Sequence, residues 1–244
     1  MIEQKSALVT GASSGIGLAY AEMLADEGHD LTIVARNADR LAQAAERLRQ
    51  RDVRVQVKPA DLIDEEQLVA AFSAHAQAYG SLDVLVNSAG IAGAKEITDM
   101  TTDFVDEHFA LNVRAVVLAY REAVPLLRKA VAARGTSHVF NIASVGAHEG
   151  HAWLSMYTAS KAAIVNFTQA MQQELLLLGI KSTAICPGYV DTPMSDPIKG
   201  HIPADSMIRP QDVVALTRPL LHLSAPCVVP ELIIDRIRVE ELTG

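Results

Sequence analysis

Short apolar runs alternate with longer stretches of mixed polarity along the whole chain. The runs at 7–10, 31–35, 53–57, 84–87, 138–142, 182–186 and 232–234 predict strands, and several are almost wholly apolar, as strands covered on both faces are. Between them, amphipathic patterns predict helices over 16–27, 39–50 and 64–79, and two longer ones over 101–133 and 152–178. The first opens after a glycine-containing turn and closes at Gly28, a natural helix stop. Alternation of this kind predicts an α/β fold: a doubly wound, mainly parallel sheet of seven strands with helices on both faces and right-handed crossovers. No repeat, low-complexity tract or linker interrupts it, so 1–244 reads as one domain. The proline-rich stretch 187–210 lies after a strand and before a helix, which makes about 189–209 a substrate loop.

Composition narrows the function classes. Half the residues are hydrophobic and a fifth charged, so the chain can bury a sizeable core. A net charge of -8 argues against nucleic acid and against anionic membrane surfaces as partners. No uninterrupted apolar run is long enough for a transmembrane helix. The opening MIEQKSALVTGASSG lacks an apolar signal region and reads as mature sequence. Cys186 and Cys227 belong to no zinc-type spacing, so no metal site is expected. Two such thiols without an export signal suggest a cytoplasmic protein.

Thr10-Gly11-Ala12-Ser13-Ser14-Gly15-Ile16-Gly17 joins the first strand to the first helix. Glycines allow a sharp turn and close approach of backbone to a pyrophosphate, while the helix N-terminus offers free N–H groups and a positive dipole end. Ser13 and Ser14 can add donors. This TGxxxGxG spacing is followed in order by Asp61, Asn87-Ser88-Ala89-Gly90, Asn112, Ser144, Tyr157-x-x-x-Lys161 and Pro187-Gly188. Together these motifs resemble the short-chain dehydrogenase/reductase family, in its short single-domain branch, from residue 6 to about residue 193.

The resemblance implies a Rossmann-type fold and hydride transfer between a nicotinamide cofactor and a carbonyl or secondary alcohol. It implies cofactor contacts from Gly11, Ser13, Ser14, Gly15, Ile16 and Gly17, and an adenine contact from Asp61 with Leu62 beside it. Asp61 has a simpler alternative, as the cap of the helix starting near Asp64. Asn87, Ala89 and Gly90 resemble the segment that lines the cofactor and steadies the sheet; Ser88 departs from the more usual asparagine. After Pro187 and Gly188, the backbone of Val190 and the hydroxyl of Thr192 match the positions that contact the nicotinamide carboxamide.

The end of the second strand selects the cofactor. A carboxylate there suits the ribose hydroxyl of NAD(H), whereas arginine suits the 2′-phosphate of NADP(H). The strand ends Val34-Ala35-Arg36-Asn37, so NADP(H) is expected, with NAD(H) the minority alternative. Arg40 is either a second phosphate contact or a solvated charge. Asp39 is the residue that keeps NAD(H) open, unless it caps the helix.

Tyr157 and Lys161 stand four residues apart and project from one helix face. Reducing a carbonyl leaves an alkoxide that needs a proton, and a free tyrosine with a pKa of about 10 exchanges poorly near neutrality. An adjacent ammonium is expected to lower that pKa. Both residues also match family cofactor contacts. Ser144 can donate to the substrate oxygen beside the phenol. Asn112 resembles the residue that binds a water in the proton relay behind the lysine.

The substrate side is read from the loops. His148, His151, Trp153 and Leu154 should pass over the substrate, with Tyr189, Met194 and the segment to His201 closing the other side. Such a pocket suits a hydrophobic ketone, aldehyde or alcohol, and the short 195–208 segment suggests a small lid. The two histidines are alternatively solvated; His29, His75 and His108 read as surface or packing residues. Asp235–Arg236–Ile237–Arg238–Val239–Glu240 alternates like a strand and replaces the family's glycine-rich ending, so the last strand is expected either to extend or to pack on a neighbour. A homodimer or homotetramer through the long helices is expected. Two other functions remain in view: reduction of 3-oxoacyl thioesters, which would want a basic patch near Lys199 and Arg209, and a non-catalytic NADP(H)-sensing regulator.

Overall fold

The computed structural model describes residues 4–236. All seven apolar runs form strands: β1 (Ser6–Thr10), β2 (Asp30–Ala35), β3 (Val55–Pro59), β4 (Val84–Asn87), β5 (Ser137–Ile142), β6 (Ile180–Pro187) and β7 (Glu231–Ile234). They pair in parallel throughout, in the order β3-β2-β1-β4-β5-β6-β7. β1 lies between β2 and β4, so the winding direction reverses there and opens a crevice at the carboxyl ends of the strands.

Seven helices cover the sheet: α1 (Gly15–Asp26), α2 (Ala38–Arg49), α3 (Glu65–Tyr79), α4 (Thr102–Phe109), α5 (Ala115–Arg134), α6 (Ser155–Leu175) and α7 (Pro210–Thr217). On one face Tyr20, Leu24, Leu41, Leu48 and Val213 pack onto Val9, Ile33, Phe140 and Ile185. On the other, Leu68, Phe72, Leu127 and Ile164 pack onto Leu8, Leu85, Val139 and Ala184. Alternate strand side chains thus feed two cores, which explains why these strands read as continuous apolar runs.

Several boundaries differ from the sequence expectation. The helix predicted over 101–133 is divided by a wider π turn, Ala110–Arg114, between α4 and α5. Helical periodicity passes through such a turn with little change in its apolar stripe. α6 begins at Ser155, because 152–154 turn into it. Asn37 caps α2 by accepting from the Arg40 N–H at 2.9 Å, so Asp39 is a first-turn residue instead of the cap. Asp64 caps α3, accepting from the N–H groups of Glu66 and Gln67. The continuation of the last strand expected through residues 237–240 lies outside the described residues; Asp235 and Arg236 follow β7 without strand pairing. Among the described residues, no helix is long and apolar enough to cross a membrane.

A buried polar seam ties the layers together below the crevice. Asn87 Nδ2 donates to Asn141 Oδ1 at 2.8 Å. Asn141 Nδ2 donates to Tyr120 Oη and to Thr168 Oγ1, each at 2.8 Å. One fully buried amide therefore links β4, β5, α5 and α6.

The histidines read as packing or surface residues are buried. His75 meets Thr32 Oγ1 at 2.8 Å and the Ser81 carbonyl at 3.0 Å. His138 stacks on Phe140 and reaches Thr183 Oγ1 at 2.9 Å. Burial lowers the pKa of His29 and His75 from 6.5 to about 4, and that of His138 to about 3. The unfolded chain thus takes up protons below about pH 6.5 that the folded chain refuses, so acid favours unfolding down to about pH 4. The melting temperature should fall steadily from about pH 7 to pH 5, and His75→Gln should flatten that slope. A pH-independent melt would overturn this account.

Candidate active site

The glycine loop is shaped by close backbone approach. Gly11 has φ +67°, and a Cβ there would lie 2.9 Å from the Ala89 nitrogen at the end of β4. A side chain on Gly17 would run into the Gly11 carbonyl oxygen, so α1 starts against its own preceding turn. Thr10 Oγ1 accepts from the N–H groups of Ser88 and Ala89 at 3.0 and 3.1 Å. Ser88 is therefore used through its backbone, which explains why this departure leaves the turn intact. Ser14 caps α1 without a side-chain hydrogen bond, and the first turn of α1 carries no acidic residue. The positive helix end is left for an external anion, as a dinucleotide pyrophosphate requires.

The neighbouring expected cofactor residues take different places. Arg36 follows β2 and is exposed; Arg40 is exposed in α2. Among the described residues neither guanidinium forms a hydrogen bond or ion pair. Asp61 accepts from the Ile63 N–H at 3.0 Å and so shapes the turn before α3, with Leu62 buried beside it. The Asn87 side chain is committed to Asn141 and steadies the sheet. Pro187 ends β6, and the Gly188 N–H donates to the Ile234 carbonyl at 2.8 Å. Thr192 returns to the glycine loop: a Cβ on Gly15 would meet its Cγ2 at 2.9 Å. Val190 pairs with Ile208 in an isolated parallel bridge that closes the base of the segment between them.

Ser144, Tyr157, Lys161 and Asn112 converge at this same sheet edge. Ser144 leaves β5; its hydroxyl accepts from the Gly146 N–H at 3.1 Å, and its side chain lies near enough to the Tyr157 phenol to oppose the rise in that pKa. Lys161 is buried, donates to the Ile142 carbonyl at 2.8 Å and lies 5.7 Å from the centroid of the Tyr157 ring. A Cβ on Gly90 would be 3.1 Å from Asn112 Oδ1 and 3.5 Å from Lys161 Nζ, so that backbone seats both side chains. Asn112 occupies the π turn. Its Oδ1 accepts from the Ile91 N–H at 2.9 Å, and its Nδ2 donates to the Ile91 carbonyl and to Ser160 Oγ, each at 3.0 Å. Ser160 in turn donates to the Tyr157 carbonyl at 2.7 Å. Only this contact with Asn112, 48 residues away in sequence, marks Ser160 as part of the group.

The electrostatics correct one expectation. Desolvation is the largest influence on Tyr157 and raises its pKa, with the Ser144 hydrogen bond opposing it. Burial lowers Lys161 to about 8. The protein's own groups thus hold the phenol neutral instead of favouring phenolate, because burial penalises both charged forms.

On the substrate side, Trp153 has φ +65° and is 62 % exposed, and its carbonyl accepts from the Lys95 N–H at 2.8 Å. A bulky residue in that conformation is strained, so surrounding contacts hold it there. Tyr189 and Met194 are also exposed. The segment between Val190 and Ile208 consists of short turns at Pro193–Ile198 and Ala204–Ser206, with Ser195 Oγ donating to the Val190 carbonyl at 2.7 Å. His148 is a partnered residue, its Nε2 lying 2.5 Å from Glu231 Oε1. Cys186 is buried, and burial followed by its contact with Glu231 raises its pKa, which excludes a resting nucleophilic thiolate.

Comparison with known proteins agrees with this geometry. The model of the short chain dehydrogenase family matches residues 5–202. The chain belongs to the short-chain dehydrogenase family. An uncharacterized oxidoreductase of Staphylococcus aureus is 34% identical over 225 residues, covering 90% of this chain and 94% of that protein. A short chain dehydrogenase of Burkholderia cenocepacia, solved with NADP, superposes with a TM-score of 0.85 at 31% identity, covering 96% of this chain and 97% of that one. A 3-ketoacyl-(acyl-carrier-protein) reductase of Brucella melitensis, solved with NADH, gives 0.85 at 28% identity with the same coverages. The protein is an oxidoreductase of this family on a seven-stranded parallel Rossmann-type sheet.

Gly17→Ala should displace the Gly11 peptide and weaken nicotinamide dinucleotide binding at least about tenfold, roughly 1.4 kcal/mol, with the far-ultraviolet circular dichroism unchanged. Unaltered affinity in a fluorescence titration would refute this role for the turn.

Proposed function

We propose that this chain transfers hydride between NADP(H) and a carbonyl or secondary-alcohol carbon, with Tyr157 as general acid/base. The observation that carries the reading is the grouping of Ser144, Tyr157 and Lys161 at the sheet edge that also presents the glycine loop. When bound, the nicotinamide supplies or accepts the hydride. The glycine loop and the α1 N-terminus hold the pyrophosphate, and Val190 and Thr192 hold the nicotinamide end. Ser144 orients the substrate oxygen toward the Tyr157 hydroxyl. The phenol, kept neutral by burial, gives its proton to the oxygen as the carbonyl is reduced and takes one back in the reverse direction. Lys161 stabilises the phenolate left behind. Asn112 fixes Ile91 and Ser160, and so acts by positioning.

NADP(H) is favoured over NAD(H) because Arg36 and Arg40 have no protein partner to compete for them among the described residues, and no carboxylate ends β2. The related structures hold NADP in one case and NADH in another, so Arg36 carries the choice. Trp153, Tyr189 and Met194 support a substrate with an apolar body. Reduction of 3-oxoacyl thioesters is the second reading, prompted by the name of the Brucella protein. Against an acidic carrier, Lys199 is paired with Asp191 and Asp196 at 2.8 Å, and Arg209 with Asp212 at 2.5 Å. A sensor without turnover would need only the cofactor site, not the convergent Ser144, Tyr157 and Lys161. Exposed Phe109 and Val117 on the α4–α5 side support a homodimer or homotetramer, and the reading places the protein in the cytoplasm.

Tyr157→Phe should lower turnover at least about a hundredfold with NADPH binding nearly intact; substantial residual rate in a carbonyl-panel assay would refute the proton-donor role. Arg36→Ala should weaken NADPH about tenfold or more and leave NADH nearly unchanged. Equal losses would refute the cofactor preference. For reduction, kcat/KM should fall as pH rises through about 8, where Lys161 loses its proton; a level profile to higher pH would remove Lys161 from the proton step.

A further inference from the structure

Three chain segments far apart in sequence bring a thiol, an imidazole and a carboxylate together behind Ser144. Cys186 is the penultimate residue of β6, Glu231 the first of β7, and His148 ends the short turn that follows Ser144. In the β6–β7 pairing Glu231 stands opposite Ala184, which puts it diagonal to Cys186 on the same sheet face. Glu231 Oε1 is 3.1 Å from Cys186 Sγ and 2.5 Å from His148 Nε2. The three ligand-type atoms lie within 4.8 Å of one another.

We propose that His148, Cys186 and Glu231 bind a single thiophilic divalent cation of the zinc class. Such an ion takes sulfur at about 2.3 Å and imidazole nitrogen or carboxylate oxygen at about 2.0–2.2 Å in tetrahedral geometry, which puts the ligand atoms about 3.3–3.6 Å apart. The Cys186–Glu231 spacing is already close to that range, and the closer His148–Glu231 contact must open by roughly an ångström as the ion enters between its ligands. On binding, the ion replaces the hydrogens that now bridge to Glu231. The thiol proton leaves to water as the sulfur–metal bond forms; the Nε2 proton of His148 passes to Nδ1 by way of solvent, and the neutral ring binds through its Nε2 lone pair. Thiolate, carboxylate and a doubly charged ion sum to zero, which suits a site whose sulfur is buried. The Ser144 backbone N–H lies near the Cys186 sulfur and favours its thiolate form, which would steady a thiolate ligand. His148 is 40% exposed on its side chain, giving ions a way in and leaving the fourth position to water. This site adjoins the Ser144–Tyr157–Lys161 group, but its ligands and its test are independent of the proposed hydride chemistry.

The test is titration of the reduced full-length protein with Co²⁺, with competition by Zn²⁺. One equivalent should give a near-ultraviolet thiolate-to-cobalt band and intense visible bands of tetrahedral coordination, all displaced by Zn²⁺. Cys186→Ser should abolish the thiolate band, and His148→Ala should weaken binding at least about tenfold, roughly 1.4 kcal/mol. Cys227→Ser should change neither. Absence of the thiolate band in the parent protein, or its survival in Cys186→Ser, would overturn the assignment. Because His148 is at the surface, its variant reports on the site even if Cys186→Ser unfolds, and unchanged affinity in His148→Ala would also overturn it.

Discussion

The Asn141 amide holds in place the elements that carry the candidate chemistry. Its oxygen takes a hydrogen bond from Asn87, and its nitrogen gives one each to Tyr120 and Thr168. In a buried setting each such bond is strong and each missing partner costs about 1–3 kcal/mol, so the arrangement tolerates little displacement. β5 runs on from Asn141 to Ser144. α6, gripped through Thr168, carries Tyr157 and Lys161 on its first turns. α5, gripped through Tyr120, continues from the π turn that carries Asn112. A single saturated amide thereby sets the relative height of a serine, a tyrosine, a lysine and an asparagine that come from three different elements.

Burial then determines what those side chains can do. Lys161 has a single protein hydrogen bond, to the Ile142 carbonyl, and its charge is weakened by desolvation. Tyr157 is pushed the other way on the pH scale by the same cause. The two shifts move the proton affinities of phenol and ammonium apart, so that the Lys161 ammonium becomes the stronger acid of the pair.

The sequence revealed features that are local in origin. Apolar runs marked the strands because both faces of the sheet are covered, and the glycine turn was visible because its backbone demands small residues. Tyr157, Lys161 and Ser144 were legible through order and spacing. Asn141, Ser160 and the partnership of His148 with Glu231 were not, since each depends on contact between distant segments and leaves no periodic trace. The π turn was hidden because it shifts the phase of the α4–α5 stripe only slightly. Asp39 misled because Asn37, two residues earlier, has the same capping chemistry.

The bridge between Val190 and Ile208 has an evolutionary consequence. By pinning both ends of the intervening segment to each other, it uncouples the interior of that segment from the sheet beneath. Residues beyond Thr192, which itself packs on Gly15, can be exchanged, lengthened or shortened as a cassette while the glycine loop and Ser144, Tyr157 and Lys161 stay in register. Diversity of substrates within one scaffold requires such modularity, and here it rests on a few backbone hydrogen bonds at the neck of a loop.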